Sequence, residues 1–148
     1  MVIGAHLNDG NGSNSGHVRV FDWNGIAWTQ LGGDIDGDSI DDRLGFSISL
    51  NATGDRLAIG APSNYGYLTD AGHVRVSEWD GVSWNLLGAD LNGEAAGDGS
   101  GIFVSLNSIG DRLATGAPNN DGNGIDAGHV LFYEWTGTSW TRLGLDVD

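Results

Sequence analysis

Apolar and polar residues alternate along this chain with a period of two, and no segment sustains a 3.6-residue period. Phe46, Ile48 and Leu50 alternate with Ser47 and Ser49, as side chains do on the two faces of a pleated strand. A second run, Arg56–Ala61, is stopped by Pro62, which has no N–H to give to a ladder. His73–Trp79, rich in Val and aromatic residues, is a third strand, and 84–87 a fourth. The last two are joined through Asp80-Gly81, with Asn24-Gly25 and Thr136-Gly137 at equivalent positions. Asn-Gly and Asp-Gly adopt positive φ cheaply and close hairpins. The pattern predicts an all-β chain with essentially no helix.

A repeat of 56 residues organises these strands. Gly-His-Val starts at Gly16, Gly72 and Gly128, and Trp23, Trp79 and Trp135 keep the same interval, as do Trp28, Trp84 and Trp140. Leu-Gly recurs at Leu31, Leu87 and Leu143, Gly-Ala at Gly4, Gly60 and Gly116, and Gly-Asp-Arg-Leu-Ala at Gly54 and Gly110. The 148 residues hold about 2.6 such repeats without an insertion. Four antiparallel strands in roughly 40–60 residues is the size of a β-propeller blade. A parallel β-helix uses shorter coils and no Asp-Gly hairpins. The Gly- and Asp-rich stretch 88–99 is expected to lead from the outer strand of one blade to the inner strand of the next. One repeat domain, 1–148, therefore divides into a partial blade of strands two to four with its linker (1–43), a blade with its linker (44–99), and a third blade (100–148), an incomplete ring.

A short stack of blades exposes two apolar faces, each of which a propeller buries against a neighbour. The expectation is head-to-tail association. Two copies give six blades, inside the usual range of about 4–8, and three give nine, outside it, so a homodimer is favoured. The alternatives are a larger ring of copies and a fragment of a longer propeller.

Charge narrows the partners. The 20 acidic residues face only 6 basic ones, all Arg, for a formal charge of −14. Nucleic acid and anionic membranes both require a basic footprint, so neither is expected. There is no Cys, hence no disulfide and no Cys-based zinc site. No apolar run approaches the roughly 20 residues of a membrane-spanning helix, and 1–10 lacks the basic start and apolar stretch of a signal peptide. An apolar share of 39% with six Trp argues for a folded chain.

The acidic loop 34–42 is the best candidate for chemistry. Asp34, Asp36, Asp38 and Asp42 occupy relative positions 1, 3, 5 and 9, and Ile40 at position 7 offers a backbone carbonyl. Hard Ca²⁺ takes six to eight oxygen ligands, and alternating carboxylates on a tight loop supply them. Asp90, Asn92, Glu94 and Asp98 stand at the same positions one repeat later. Solvated Asp-Gly turns are the structural alternative. Tyr65 and Tyr67 on one loop are candidates for a recognition surface, since exposed aromatics carry binding energy. The Trp pairs permit stacking on sugar rings, but their position at both ends of a hairpin favours cross-strand packing. His17, His73 and His129 occupy equivalent strand edges, where hydrogen bonding is expected, and Arg56 and Arg112, beside Asp55 and Asp111, are expected to make pairs within a blade. Nucleophile elbows, phosphate loops, His-Glu-x-x-His and dinucleotide fingerprints are absent from the sequence, and no enzyme is expected.

The segments Leu44-Gly45-Phe46-Ser47, 55–62 and 111–118, the last two ending in Gly-Ala-Pro, resemble FG-GAP repeats, the blades of integrin-alpha-like propellers. Gly-His-Val-Arg-Val, Trp-x-Gly-x-x-Trp and Leu-Gly resemble the 56-residue bacterial and algal variant over the whole chain. Leu44 and Ser100 stand where that family usually has Phe, and His6 replaces the Pro of Gly-Ala-Pro. The resemblance implies a non-catalytic module for binding or adhesion, extracellular or at the cell surface, often with Ca²⁺. A multivalent glycan-binding propeller and a purely structural part of a larger surface protein are the alternative readings.

Overall fold

The computed structural model describes residues 1–64 and 68–147, and every regular element among them is a β-strand. Three antiparallel sheets follow one another. The first contains β1 (Val2–Ala5), β2 (His17–Trp23), β3 (Trp28–Gln30) and β4 (Ile35–Asp36). The second contains β5 (Ser47–Leu50), β6 (Arg56–Ala61), β7 (His73–Trp79), β8 (Trp84–Leu86) and β9 (Leu91–Asn92). The third contains β10 (Phe103–Leu106), β11 (Arg112–Ala117), β12 (His129–Trp135) and β13 (Trp140–Arg142). These are propeller-type blades. Register repeats with sequence: Gly4 pairs with Val18, Gly60 with Val74, and Gly116 with Val130.

β4 and β9 are absent from the four-strand reading of the repeat, and their origin is a shortage of hydrogen-bond partners. β7 has seven residues, but β8 has three and covers only Ser77–Trp79. The N-terminal half of β7 would leave its main-chain groups unpaired on that edge, which is costly once the edge is buried. The linker turns back to fill the gap, pairing Leu91 with Val74 and Asn92 with His73. Ile35 and Asp36 do the same for β2, and Val147 makes the equivalent bridge to Val130.

The core lies between sheets. Val18 and Val20 of the first meet Leu57 and Ile59 of the second, and Val74 and Val76 of the second meet Leu113 and Trp140 of the third. Each such buried aliphatic contributes about 1.5–3 kcal/mol. A parallel bridge ties Gly16 to Leu44, and another ties Gly72 to Ser100, so the main chain entering each blade is stitched to the blade before it. The fit is tight. A Cβ on Gly60 would stand 1.9 Å from the carbonyl oxygen of Gly101.

The Trp residues pair across each hairpin as their positions suggest: Trp23 with Trp28, Trp79 with Trp84 and Trp135 with Trp140, with ring centroids 5.3–5.5 Å apart. They also reach the preceding blade, a role the pattern alone does not reveal. The indole N–H of Trp84 donates to the Leu31 carbonyl at 3.1 Å, and that of Trp140 to the Leu87 carbonyl at 2.9 Å. The arginine pairs lie within a blade, but with different partners from the adjacent aspartates. Arg56 binds Glu78 at 2.8 Å and Arg112 binds Glu134 at 3.0 Å, each across the ladder. Neighbouring residues on a strand point to opposite faces, so directly opposed residues meet instead. Asp55 accepts hydrogen bonds from Asn51 and Thr53, which hold its carboxyl below the usual carboxylate range, with Thr53 the larger influence.

Candidate functional site

Two polar loops from each of the first two blades meet at one end of the sheets. In the first blade, 6–16 joins β1 to β2, and 37–46 follows β4, which pairs with the start of β2. The Asn11 side chain donates to the Gly37 carbonyl and that of Asn14 to Asp41, both at 2.8 Å. Main-chain bonds from Asp41 to Ser13 and from Arg43 to Asn14 complete the seam. In the second blade, Gly97 donates to Thr69 and Gly99 to Asp70. Asn14, Asp70 and Asp126, one repeat apart, all sit near φ 51°. That left-handed region suits Asn and Asp, whose short polar side chains satisfy local main-chain groups.

The candidate metal ligands of the first loop occupy this end but turn to separate partners. Asp34 receives two hydrogen bonds from Arg19, at 2.8 and 2.7 Å, and one from Gln30 at 2.8 Å. Arg19 and then Gln30 hold its carboxyl down at about 2. Asp36 is exposed on β4. Asp38 binds Arg75 of the next blade, and Ile40 is exposed with its side chain against Gly12. Asp42 is fully buried, accepting from the main-chain N–H groups of Asp38 and Ser39 and from the Asn64 side chain at 2.7 Å.

The second loop behaves alike. Asp90 binds Arg75, Asn92 pairs with His73 in the ladder, and Glu94 binds Arg142 at 2.7 Å. Asp98 is buried, accepting from the Ala95 N–H and from the Asn120 side chain, both at 2.9 Å. Burial opposes the charge of Arg75, but the hydrogen bonds it donates to Asp90 and Asp38 outweigh it and raise its pKa further.

Calcium needs its oxygens aimed at one centre. The described groups of acidic and His ligand atoms lying within 4.8 Å of one another are His17-Asp34-Asp36 and Glu94-His129-Asp146. Asp38 and Asp42 join neither, and Asp90 and Asp98 join neither. As held here, neither predicted set gathers whole about one centre: Asp34 and Asp36 lie with His17, Glu94 lies with His129 and Asp146, and the other carboxylates turn to separate partners. Tyr65 and Tyr67 lie outside the described residues.

The His-Asp proximity is the feature that loop spacing overlooks. His17 Nδ1 lies 3.8 Å from Asp34 Oδ2, and His129 Nδ1 lies 3.6 Å from Asp146 Oδ2 and 4.0 Å from Glu94 Oε2. The signal was available, because Asp34, Asp90 and Asp146 keep the 56-residue interval of His17, His73 and His129. A mixed imidazole and carboxylate trio suits a divalent transition ion in principle. Here Arg19 pairs with Asp34, and Arg142 pairs with Glu94 and Asp146, so each trio already holds one arginine against its two carboxylates. The chain matches no protein-family model and no curated protein. No helix among the described residues is long and apolar enough to cross a membrane.

Proposed function

We propose that this chain is a non-catalytic, FG-GAP-like propeller module, extracellular or at the cell surface, that binds a protein partner through the loop end of its blades. The observation that carries this reading is the gathering of exposed or half-buried carboxylates at that end from consecutive blades: Asp36 and Asp41 in the first, Asp70 in the second, Asp126 in the third. With a net charge of −14, such an end attracts a basic protein surface and speeds its encounter. The titratable groups that recur with the repeat are committed to Arg pairs and loop turns, which supports a structural role for them and no reaction. The Trp pairs lend the glycan alternative no support, because Trp84 and Trp140 turn toward the preceding blade.

The test is binding to a panel of basic extracellular proteins at low and high salt. The expected outcome is salt-sensitive binding by the native chain, lost in the triple variant Asp36→Asn, Asp41→Asn, Asp126→Asn and kept when Asp22, at the hairpin end of β2, is neutralised. Binding that ignores both salt and the triple variant refutes the loop-end reading.

A further inference from the structure

The two outermost blade faces are the two halves of a contact the chain already makes twice. On the face of each blade that receives its predecessor, the same positions change from covered to bare. Leu57 and Leu113 are 0% and 1% exposed, while Met1 at their position is 50% exposed; Ile59 is 0% exposed, while Ile3 is 46% exposed. Trp140 is 9% exposed and Trp28 is 51% exposed. The opposite face shows the same change at the other end of the stack. Val20 and Val76, covered by the following blade, are each 2% exposed, whereas Phe132 in the third blade is 41% exposed.

The polar half of the contact is also vacant at both ends. Trp84 and Trp140 donate to Leu31 and Leu87, and a Cβ on Gly32 or Gly88 would press into the next blade's indole rings at 2.9 Å. Among the described residues Trp28 has no such acceptor, and a Cβ on Gly144, beside Leu143, would meet nothing within 4 Å. The donor without an acceptor and the cleft without an indole are complementary.

We infer that a second copy of this chain docks head to tail, setting the first sheet of one copy against the third sheet of the other, with Trp28 donating to the partner copy's Leu143 carbonyl. The inference rests on the propeller reading above and continues the blade-to-blade interface already present between the three sheets. Each copy carries both halves, so two copies make two equivalent seams and close on themselves, as a head-to-tail contact must if it is not to run on as a filament. The seam joins β1–β3 of one copy to β11–β13 of the other. It buries Ile3, Trp28 and Phe132, which an isolated chain leaves half exposed.

Sedimentation equilibrium, with far-ultraviolet circular dichroism on the same samples, tests this. The native chain is expected at twice 15.4 kDa at micromolar concentration. Ile3→Arg and Phe132→Arg, at exposed positions on opposite faces, are each expected at 15.4 kDa alone with sheet signal intact. Mixed one to one they are expected to recover a species of twice that mass, weaker than the native dimer, because the sound third sheet of Ile3→Arg meets the sound first sheet of Phe132→Arg in one seam while the other seam carries both arginines. Trp28→Phe, which keeps the ring and deletes the N–H, is expected to weaken the dimer about 25- to 100-fold, the equivalent of one neutral hydrogen bond at each of the two seams. A native monomer with full sheet signal overturns the second-copy inference while leaving the blade reading intact. A dimer that persists in both Arg variants, or a larger assembly, overturns the two-seam closure. Loss of sheet signal in the native chain overturns the propeller reading itself.

Discussion

Replacing Gly60 and Gly116 by Ala, one at a time, separates contact between blades from intrinsic strand preference. The two residues occupy the same repeat position, in β6 and β11, and each pairs with a Val of the next strand. At Gly60 the new methyl would lie 1.9 Å from the Gly101 carbonyl oxygen and 2.4 Å from Ser47 Oγ. The serine can rotate, but the main chain entering the next blade must retreat by about 1.5 Å to reach ordinary contact distance, which places the change at or beyond the upper end of overpacking costs, about 3 kcal/mol. At Gly116 the nearest atoms are in the Phe103 side chain at 3.6 Å, an ordinary contact. Ala is preferred to Gly within a strand by roughly 0.5–1 kcal/mol. In urea and thermal unfolding, Gly60→Ala is therefore expected to lower Tm by about 6–12 °C, taking about 2–4 °C per kcal/mol at this size. Gly116→Ala is expected to leave Tm unchanged or raise it slightly. Equal destabilisation by both, or a neutral Gly60→Ala, refutes the close approach of consecutive blades.

Trp84→Phe removes a donor to Leu31 and is expected to cost about 1 kcal/mol or more in urea unfolding, whereas Trp28→Phe, measured in dilute monomer, costs less. Asp42→Ala strips three N–H donors of their acceptor in a buried turn and is expected to cost about 2–4 kcal/mol, while Asp36→Ala on the exposed edge stays within about 0.5 kcal/mol. Burial lowers the pKa of His73, so the unfolded chain binds the proton more readily. Stability is then present above the unfolded value near 6.5 and falls as pH drops through it, and His73→Gln is expected to flatten thermal melts between pH 7.5 and 5.5. Asp34, held at about 2 against an ordinary 3.8, contributes a second loss that begins only as pH falls below about 4. Calcium must displace Arg75 from Asp38, so calorimetric titration is expected to show at best millimolar affinity in the native chain and tighter binding in Arg75→Ala; tight native binding refutes the assignment of these carboxylates to arginine.

Strand identity and blade size were legible because they depend on local alternation, hairpin dipeptides and an undisturbed repeat. Trp23 and Trp28 flank Asn24-Gly25, so their meeting across the hairpin follows from sequence spacing. What joins two repeats was not legible in the same way. That Trp84 reaches Leu31, or that Asn64 reaches Asp42, depends on how far one sheet turns from the next, which no single repeat encodes. The partners of the acidic loops were hidden for a related reason: Asp34, Asp38 and Asp42 are close in sequence, yet Arg19 and Arg75 come from strands outside the loop and pair with two of the three carboxylates. The short strands β4 and β9 escaped notice because two residues carry no periodicity, and only the length mismatch between β7 and β8 hinted that something had to fill the gap.

That backward turn of the linker also bears on how an unguarded sheet border stays inert. Many β-proteins shield an outer rim with lysine, and this chain has none. Here the rim is shortened: the outermost strand is three residues long, and the remainder of its neighbour is occupied by the chain's own returning linker. A passing extended peptide finds no continuous ledge on which to zip. Substituting Pro for Leu91 would withdraw an N–H at the middle of that cover, and the first symptom to look for is fibril growth on storage, well before any loss of the folded signal.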